Sequence, residues 1–227
     1  MSKPRIIAFY LPQYYPTVEN DKWWGKGFTE WTNVGRAKPL FHGHYQPRVP
    51  ADLGYYDLRV PETRILQAEM AKEYGVEGFM FWHYWFAGKK LLNKVFEDIL
   101  KQKDYDFQFS LCWANHSWYA KTWDPKIKDR LLIEQTYPSK QDMIDHFNDL
   151  LPAFKDPRYT RVNGKLLFAL FRPMAVPNIK EFIETWNKLA RDNELKGFYF
   201  VAYNSVTSDI QKAYEEGYDA VTYDFIS

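Results

Sequence analysis

The chain has 227 residues, of which 30 are Lys or Arg and 29 Asp or Glu, a formal net charge of +1. One domain over residues 1–227 suffices, since barrel domains run to about 250 residues, and the absence of a dense basic run removes the electrostatic footprint of a nucleic-acid binder. A lone cysteine, Cys112, excludes an intrachain disulfide framework. No apolar run nears the roughly 20 residues of a membrane helix, and the first one breaks at Pro12, too early for a signal peptide, so the expected location is cytoplasmic.

Taken in chain order, six near-continuously apolar segments read as buried parallel strands: 6–11, 78–85, 107–114, 166–172, 198–203 and 220–225. Helical periodicity fills the gaps, over 90–102 with Leu91, Leu92, Val95, Phe96 and Ile99 on one face, and over 179–190 with Ile179, Phe182, Ile183 and Trp186. Ser139 before Asp142 and Asn178 before Glu181 are N-cap signals, while Gly75 and Gly217 sit where helices should stop. The alternation defines an α/β fold with right-handed crossovers. A doubly wound sheet would carry a glycine-rich first turn, but Leu11-Pro12-Gln13-Tyr14-Tyr15-Pro16 has no glycine. A (β/α) barrel of the TIM type fits better. Six units are visible where a closed barrel has eight, so the expectation is an incomplete barrel, a portion of a longer protein, with oligomer pairing at an open edge as one consequence.

In such a barrel the active site forms from loops at the C-terminal ends of the strands. Those loops and the strand ends that lead into them hold eight of the 9 Trp of this chain, all but Trp186. Flat rings joined to polar tips suit the apolar faces and polar edges of sugars; the plain alternative is a helix-covered sheet rich in Phe and Tyr. The stretch from Gln13 to Asp57 carries Trp23, Trp24, Glu30 and Trp31, then His44, Tyr45 and Gln46, and a loop of this length is usually functional. At the end of the second strand, alternation sends either Trp82, Tyr84 and Phe86 or His83 and Trp85 into the barrel. Trp113, Asn115, His116 and Trp118 follow the third strand, with Trp123, Asp124 and Glu134 beyond; Arg172 ends the fourth, Tyr203 and Asn204 the fifth, and Asp224 the sixth.

The blocks at 23–33, 44–47, 53–58, 83–86, Cys112-Trp113-Ala114-Asn115 and Ile133-Glu134-Gln135 resemble the WbsX family of glycosyltransferases, associated with lipopolysaccharide and other bacterial surface-polysaccharide biosynthesis. The resemblance implies a fold related to the family 99 glycoside hydrolase barrels, in which an endo-mannosidase-like hydrolysis is the alternative to transfer. Where relatives often carry a glutamate after Trp113-Ala114-Asn115, this chain has His116.

Glycosidic chemistry ordinarily sets two carboxyl groups across the bond. The candidates for catalysis are Glu30, Asp124 and Glu134, with His116 as a proton donor in place of the glutamate. Each has a structural alternative: a loop-fixing carboxylate for Glu30, an Asp-Pro turn for Asp124, and an ion pair with Lys128 or Arg130 for Glu134. Substrate contacts are expected from Trp23, Trp24, Trp31, His44, Tyr45, Gln46, His83, Trp85, Trp113, Asn115, Trp118, Tyr203, Asn204 and Asp224, and Arg172 and Lys89 are candidates for an anionic sugar or a nucleotide diphosphate. The histidines show no metal-ligand spacing and no cofactor motif is present. The reading is a glycan- or sugar-nucleotide-using enzyme; the rival from another class is a glycan-binding module or an inactive fragment.

Overall fold

The computed structural model describes residues 4–120, 128–204 and 210–223. After β1 (Ile7–Tyr10), the long first loop contains two short helices, α1 (Val18–Trp24) and α2 (Glu30–Arg36). Threonines start both: Thr17 Oγ1 accepts the Asn20 N–H at 3.1 Å, and Thr32 Oγ1 accepts the Thr29 N–H at 3.2 Å. Two turns are too few to display a period of 3.6, so the sequence reads as loop. The third helix, α3 (Pro61–Glu73), opens on a proline whose missing N–H is harmless there and stops before Gly75, at φ +80°.

The second strand, β2 (Gly78–Phe86), folds back on β3 (Lys89–Leu91) before α4 (Lys94–Lys101). This shortens the helix expected over 90–102. Ala87 and Gly88 both take positive φ, the geometry of a tight hairpin turn, and set Lys90 and Leu91 antiparallel to Trp85 and Tyr84. Beyond β4 (Gln108–Trp113) comes a second unanticipated hairpin, β5 (Trp118–Ala120) with β6 (Arg130–Ile133). Helix α5 (Lys140–Lys155) is capped as expected, Ser139 Oγ accepting the Asp142 N–H at 3.2 Å. There follow β7 (Arg161–Val162), β8 (Lys165–Leu170), a short 3-10 turn, and α6 (Ile179–Asp192). Asn178 does not cap α6 with its side chain; it takes a left-handed conformation instead, a role asparagine tolerates. The described chain ends with β9 (Phe198–Asn204), α7 (Ile210–Glu215) and β10 (Ala220–Tyr223).

All six long-range strands pair in parallel in the order β1-β2-β4-β8-β9-β10, a curled half-barrel. Register then fixes faces. Phe81, Leu111, Phe168 and Phe200 stand in one row and point to the helices, where Phe96 of α4, Phe147 and Phe154 of α5, and Phe182 and Trp186 of α6 cover them. Each fully buried ring of this kind contributes about 1.5–3 kcal/mol, so this convex side is the main core. The concave side is thinner: Met80, Cys112, Leu167 and Ala169 form a small separate cluster. Cys112 is a buried hydrophobe whose thiol burial pushes well up, as its sequence context suggests.

Candidate active site

The concave face changes character toward the C-terminal ends of the strands. Trp82 is in register with Cys112, Ala169 and Val201, and the small side chains on β4 and β8 leave its ring room to lie across the sheet. It stacks on Phe9 of β1 at 4.9 Å and meets Phe171, just past β8, at 5.3 Å and Tyr203 of β9 at 6.0 Å, edge to face. Phe9 remains 43% exposed, so this aromatic bed faces solvent rather than a packed interior. Period-two alternation therefore resolves in favour of Trp82 and Tyr84.

Tyr84 marks a second cluster on the same rim. Trp118, delivered by the β5–β6 hairpin, packs edge-on against Tyr84 at 4.9 Å and Phe86 at 6.1 Å, and Trp23 of α1 meets Trp118 at 5.9 Å. Glu30 opens α2 beside this group. Its half-buried carboxyl is pushed up by desolvation, and its charge in turn raises Tyr14 and Tyr84. Among the described residues no hydrogen bond is formed to the Glu30 carboxylate, and desolvation is the cause of its shift. Glu134 follows β6, exposed, at the base of the hairpin that carries Trp118; it forms no ion pair with Lys128 or Arg130.

Between these clusters, His116 and Arg172 share the Phe171 ring. The imidazole lies 5.1 Å from it, and the exposed guanidinium 5.0 Å above it. Burial and the neighbouring guanidinium hold His116 below its ordinary value, so it is neutral at pH 7, and its buried Nδ1 has no partner among the described residues. Neutral imidazole is a poor proton donor but a serviceable hydrogen-bonding group.

Several expected contacts prove structural. His83 faces the helices, where its Nε2 lies 2.8 Å from Nε2 of His146 in a buried pair. Trp85, on the same face of β2, stacks flat on His146 at 4.7 Å and donates its indole N–H to Asp142 at 3.1 Å. Trp113 stacks on Phe182 at 5.8 Å and is 3% exposed. Asn115, 2% exposed, is a clamp: its Nδ2 donates to Tyr137 Oη at 3.0 Å and the Arg172 carbonyl at 2.9 Å, and its Oδ1 accepts the Arg172 N–H at 2.8 Å. Both amide hydrogens are spent. Trp31 pins the first loop, donating to the Tyr56 carbonyl at 2.7 Å amid Tyr14, Tyr55 and Tyr56. Lys89 is ion-paired with Glu19 at 3.2 Å.

His44 stacks on Phe41, reaches Gln46 at 3.4 Å and belongs with exposed Tyr45 to a surface turn; Trp24 is 41% exposed beside Phe28. No ring contact or hydrogen bond among the described residues ties His44, Tyr45 or Gln46 to the rim. Trp123, Asp124 and Asp224 lie outside the described residues, as does the side chain of Asn204. The rim residues that sequence reasoning missed are Phe9, Tyr14 and Phe171; a strict alternation from Ile7 and from Leu167 through small Ala169 would have found Phe9 and Phe171. Among the described residues no three His, Cys, Asp or Glu gather as a metal site, and no helix is long and apolar enough to cross a membrane.

An open parallel sheet, curled as half of a barrel with an aromatic C-terminal rim, defines the class as a (β/α)-barrel protein. The chain belongs to the family described as Glycosyltransferase WbsX, whose model matches residues 6–225. It is 41% identical over 216 residues to the uncharacterized protein WxcX of two strains of Xanthomonas campestris pv. campestris, B100 and ATCC 33913, covering 94% of this chain but 29% of each relative. Its backbone resembles the GH99 endo-alpha-mannosidase of Bacteroides thetaiotaomicron, with a TM-score of 0.59 at 15% identity over 96% of this chain and 60% of that one. A glycoside hydrolase-like protein gives 0.58 at 14% identity, over 97% and 58%. At such identities the likeness is one of fold.

Proposed function

We propose that residues 1–227 form one catalytic-type unit that acts at a glycosidic centre, as a glycosyltransferase of surface-polysaccharide biosynthesis working in the cytoplasm. The observation that carries it is the desolvated Glu30 carboxyl, whose charge is felt at Tyr84, the ring on which Trp118 and through it Trp23 pack. The rings offer sugar platforms. A carboxyl pushed up by burial holds its proton closer to neutrality, which suits a general acid at the bridging oxygen. Glu134, on the hairpin that positions Trp118, supplies the second carboxylate, and Trp82 with Tyr203 extends the platform along the concave face.

That raised carboxyl equally favours a second reading, hydrolysis of a glycan by acid and base, and the fold likeness to an endo-alpha-mannosidase accords with it. The two separate by product. The chain is incubated with surface-polysaccharide oligosaccharides, with and without sugar nucleotides, and the products are sized by mass spectrometry: lengthened chains mean transfer, shortened chains hydrolysis. Glu30→Gln and Glu134→Gln should each cut turnover by about 100-fold or more without lowering the melting temperature. Full turnover in both variants would remove the assignment, and binding without turnover in the unmutated chain would make this a glycan-binding module.

A further inference from the structure

The geometry points to an oxyanion-binding position on the rim, formed by the Arg172 guanidinium over Phe171, that selects sugars bearing a carboxylate or phosphate. This rests on reading the rim as a sugar site and names the class of substrate it takes. Three observations carry it. First, Arg172 is exposed, and among the described residues no carboxylate is ion-paired with it; its guanidinium carbon lies 5.0 Å from the centroid of the Phe171 ring. The other rim cation behaves differently, since Lys89 is engaged by Glu19 at 3.2 Å. Second, the Asn115 amide grips the Arg172 backbone from both sides, at 2.8 and 2.9 Å, so the cation departs from a fixed point. A charged side chain on so firmly held a base has lost part of the ordering cost of binding beforehand. Third, the side chain that shares the Phe171 ring with Arg172 is His116, an imidazole and not a carboxylate, so it leaves the guanidinium's charge for a ligand.

Phe171 itself continues into the Trp82 and Tyr203 rings at 5.3 and 5.2 Å, so a ligand anchored at Arg172 by its charge lays its sugar ring over the aromatic bed. A planar guanidinium suits carboxylate and phosphate alike through paired N–H donors, and neither source requires a second cation.

Calorimetric titration of the chain with a hexuronate-containing oligosaccharide, a hexose 1-phosphate and the matching neutral oligosaccharide tests this. Both anionic ligands, or the one that is the natural source, should bind about 10-fold or more tightly than the neutral one. Arg172→Gln should bring anionic binding down to the neutral level while leaving neutral binding and the melting temperature unchanged; Arg172→Lys, which keeps the charge without the fork, should fall between. Equal affinity for neutral and anionic ligands, or anionic binding that survives Arg172→Gln, overturns the proposal while leaving the sugar site intact. Failure of all three ligands to bind rejects the sugar site and this position with it.

Discussion

Glu30 shows how one side chain can carry opposed demands. Desolvation raises its carboxyl, so the folded chain holds that proton more tightly than the unfolded one. Between the unfolded and the raised folded value the native state binds more protons, and stability falls as pH rises through that window. At neutral pH the ionised carboxylate is therefore a cost retained in the fold. Glu30→Gln should raise the melting temperature at pH 7, and the gain should vanish near pH 4, where the native carboxyl is protonated and nearly isosteric with the amide. Thermal melts at the two pH values check it, and a lower melting temperature at pH 7 would show that the charge holds the loop instead. His116 makes the complementary case: burial and the neighbouring Arg172 guanidinium hold its imidazole below its ordinary value, so the fold keeps it as a neutral hydrogen-bonding group.

At the scale of elements, strand order and helix positions were legible because burial on both faces writes continuous apolar runs, and all six expected strands recur within a few residues. The two hairpins, β2–β3 and β5–β6, were not. Their added strands β3, β5 and β6 are only 3, 3 and 4 residues long, too short for alternation to show, and Ala87 gives no outward signal that it will take a positive φ. The site suffered for a related reason. A strand with aromatics on both faces, Phe81-Trp82-His83-Tyr84-Trp85, has no polarity contrast to say which face is which, so His83 and Trp85 read as well as Trp82 and Tyr84. Asn115 was visible as a polar residue at a strand end, but only the fold shows that its amide joins the end of β4 to the residue after β8. Asn115→Ala should lower stability by about 2 kcal/mol in denaturant titration, since it strands buried partners at Tyr137 and Arg172. Hydrogen exchange should accelerate first at the Arg172 amide, whose acceptor is lost.

For the whole molecule, the convex core depends on a neutral histidine pair. His146 of α5 is enclosed by Trp85, Trp113 and Trp186 and faces His83 of β2, so protonating either ring would place a charge between sheet and helices, and among the described residues no carboxylate is ion-paired or hydrogen-bonded to either ring. Burial, reinforced by Lys90, takes His83 down to about 3, and burial with its partner takes His146 well below its ordinary value. The unfolded chain titrates both near 6.5. Below that pH the unfolded state gains protons that the folded state refuses, so stability is complete above about pH 6.5 and falls as the solution is acidified, levelling off only when the folded histidines themselves protonate. Each ring contributes a limiting slope of about 1.4 kcal/mol per pH unit. The carboxylates that ion pairs hold low, Glu77, Asp57 and Asp156 among them, add their own acid loss only below their unfolded values near 4, while the raised Glu30 and Asp142 carboxyls act in the opposite sense and His116, also held low, adds to the decline. Denaturant titrations from pH 7.5 to 5 should show that decline, and His146→Gln, which keeps a hydrogen-bonding group opposite His83 and removes one titrating ring, should make its slope shallower. A flat profile over that interval would mean that the pair is not buried neutral in solution, and the packing of α5 against β2 described above would have to be wrong.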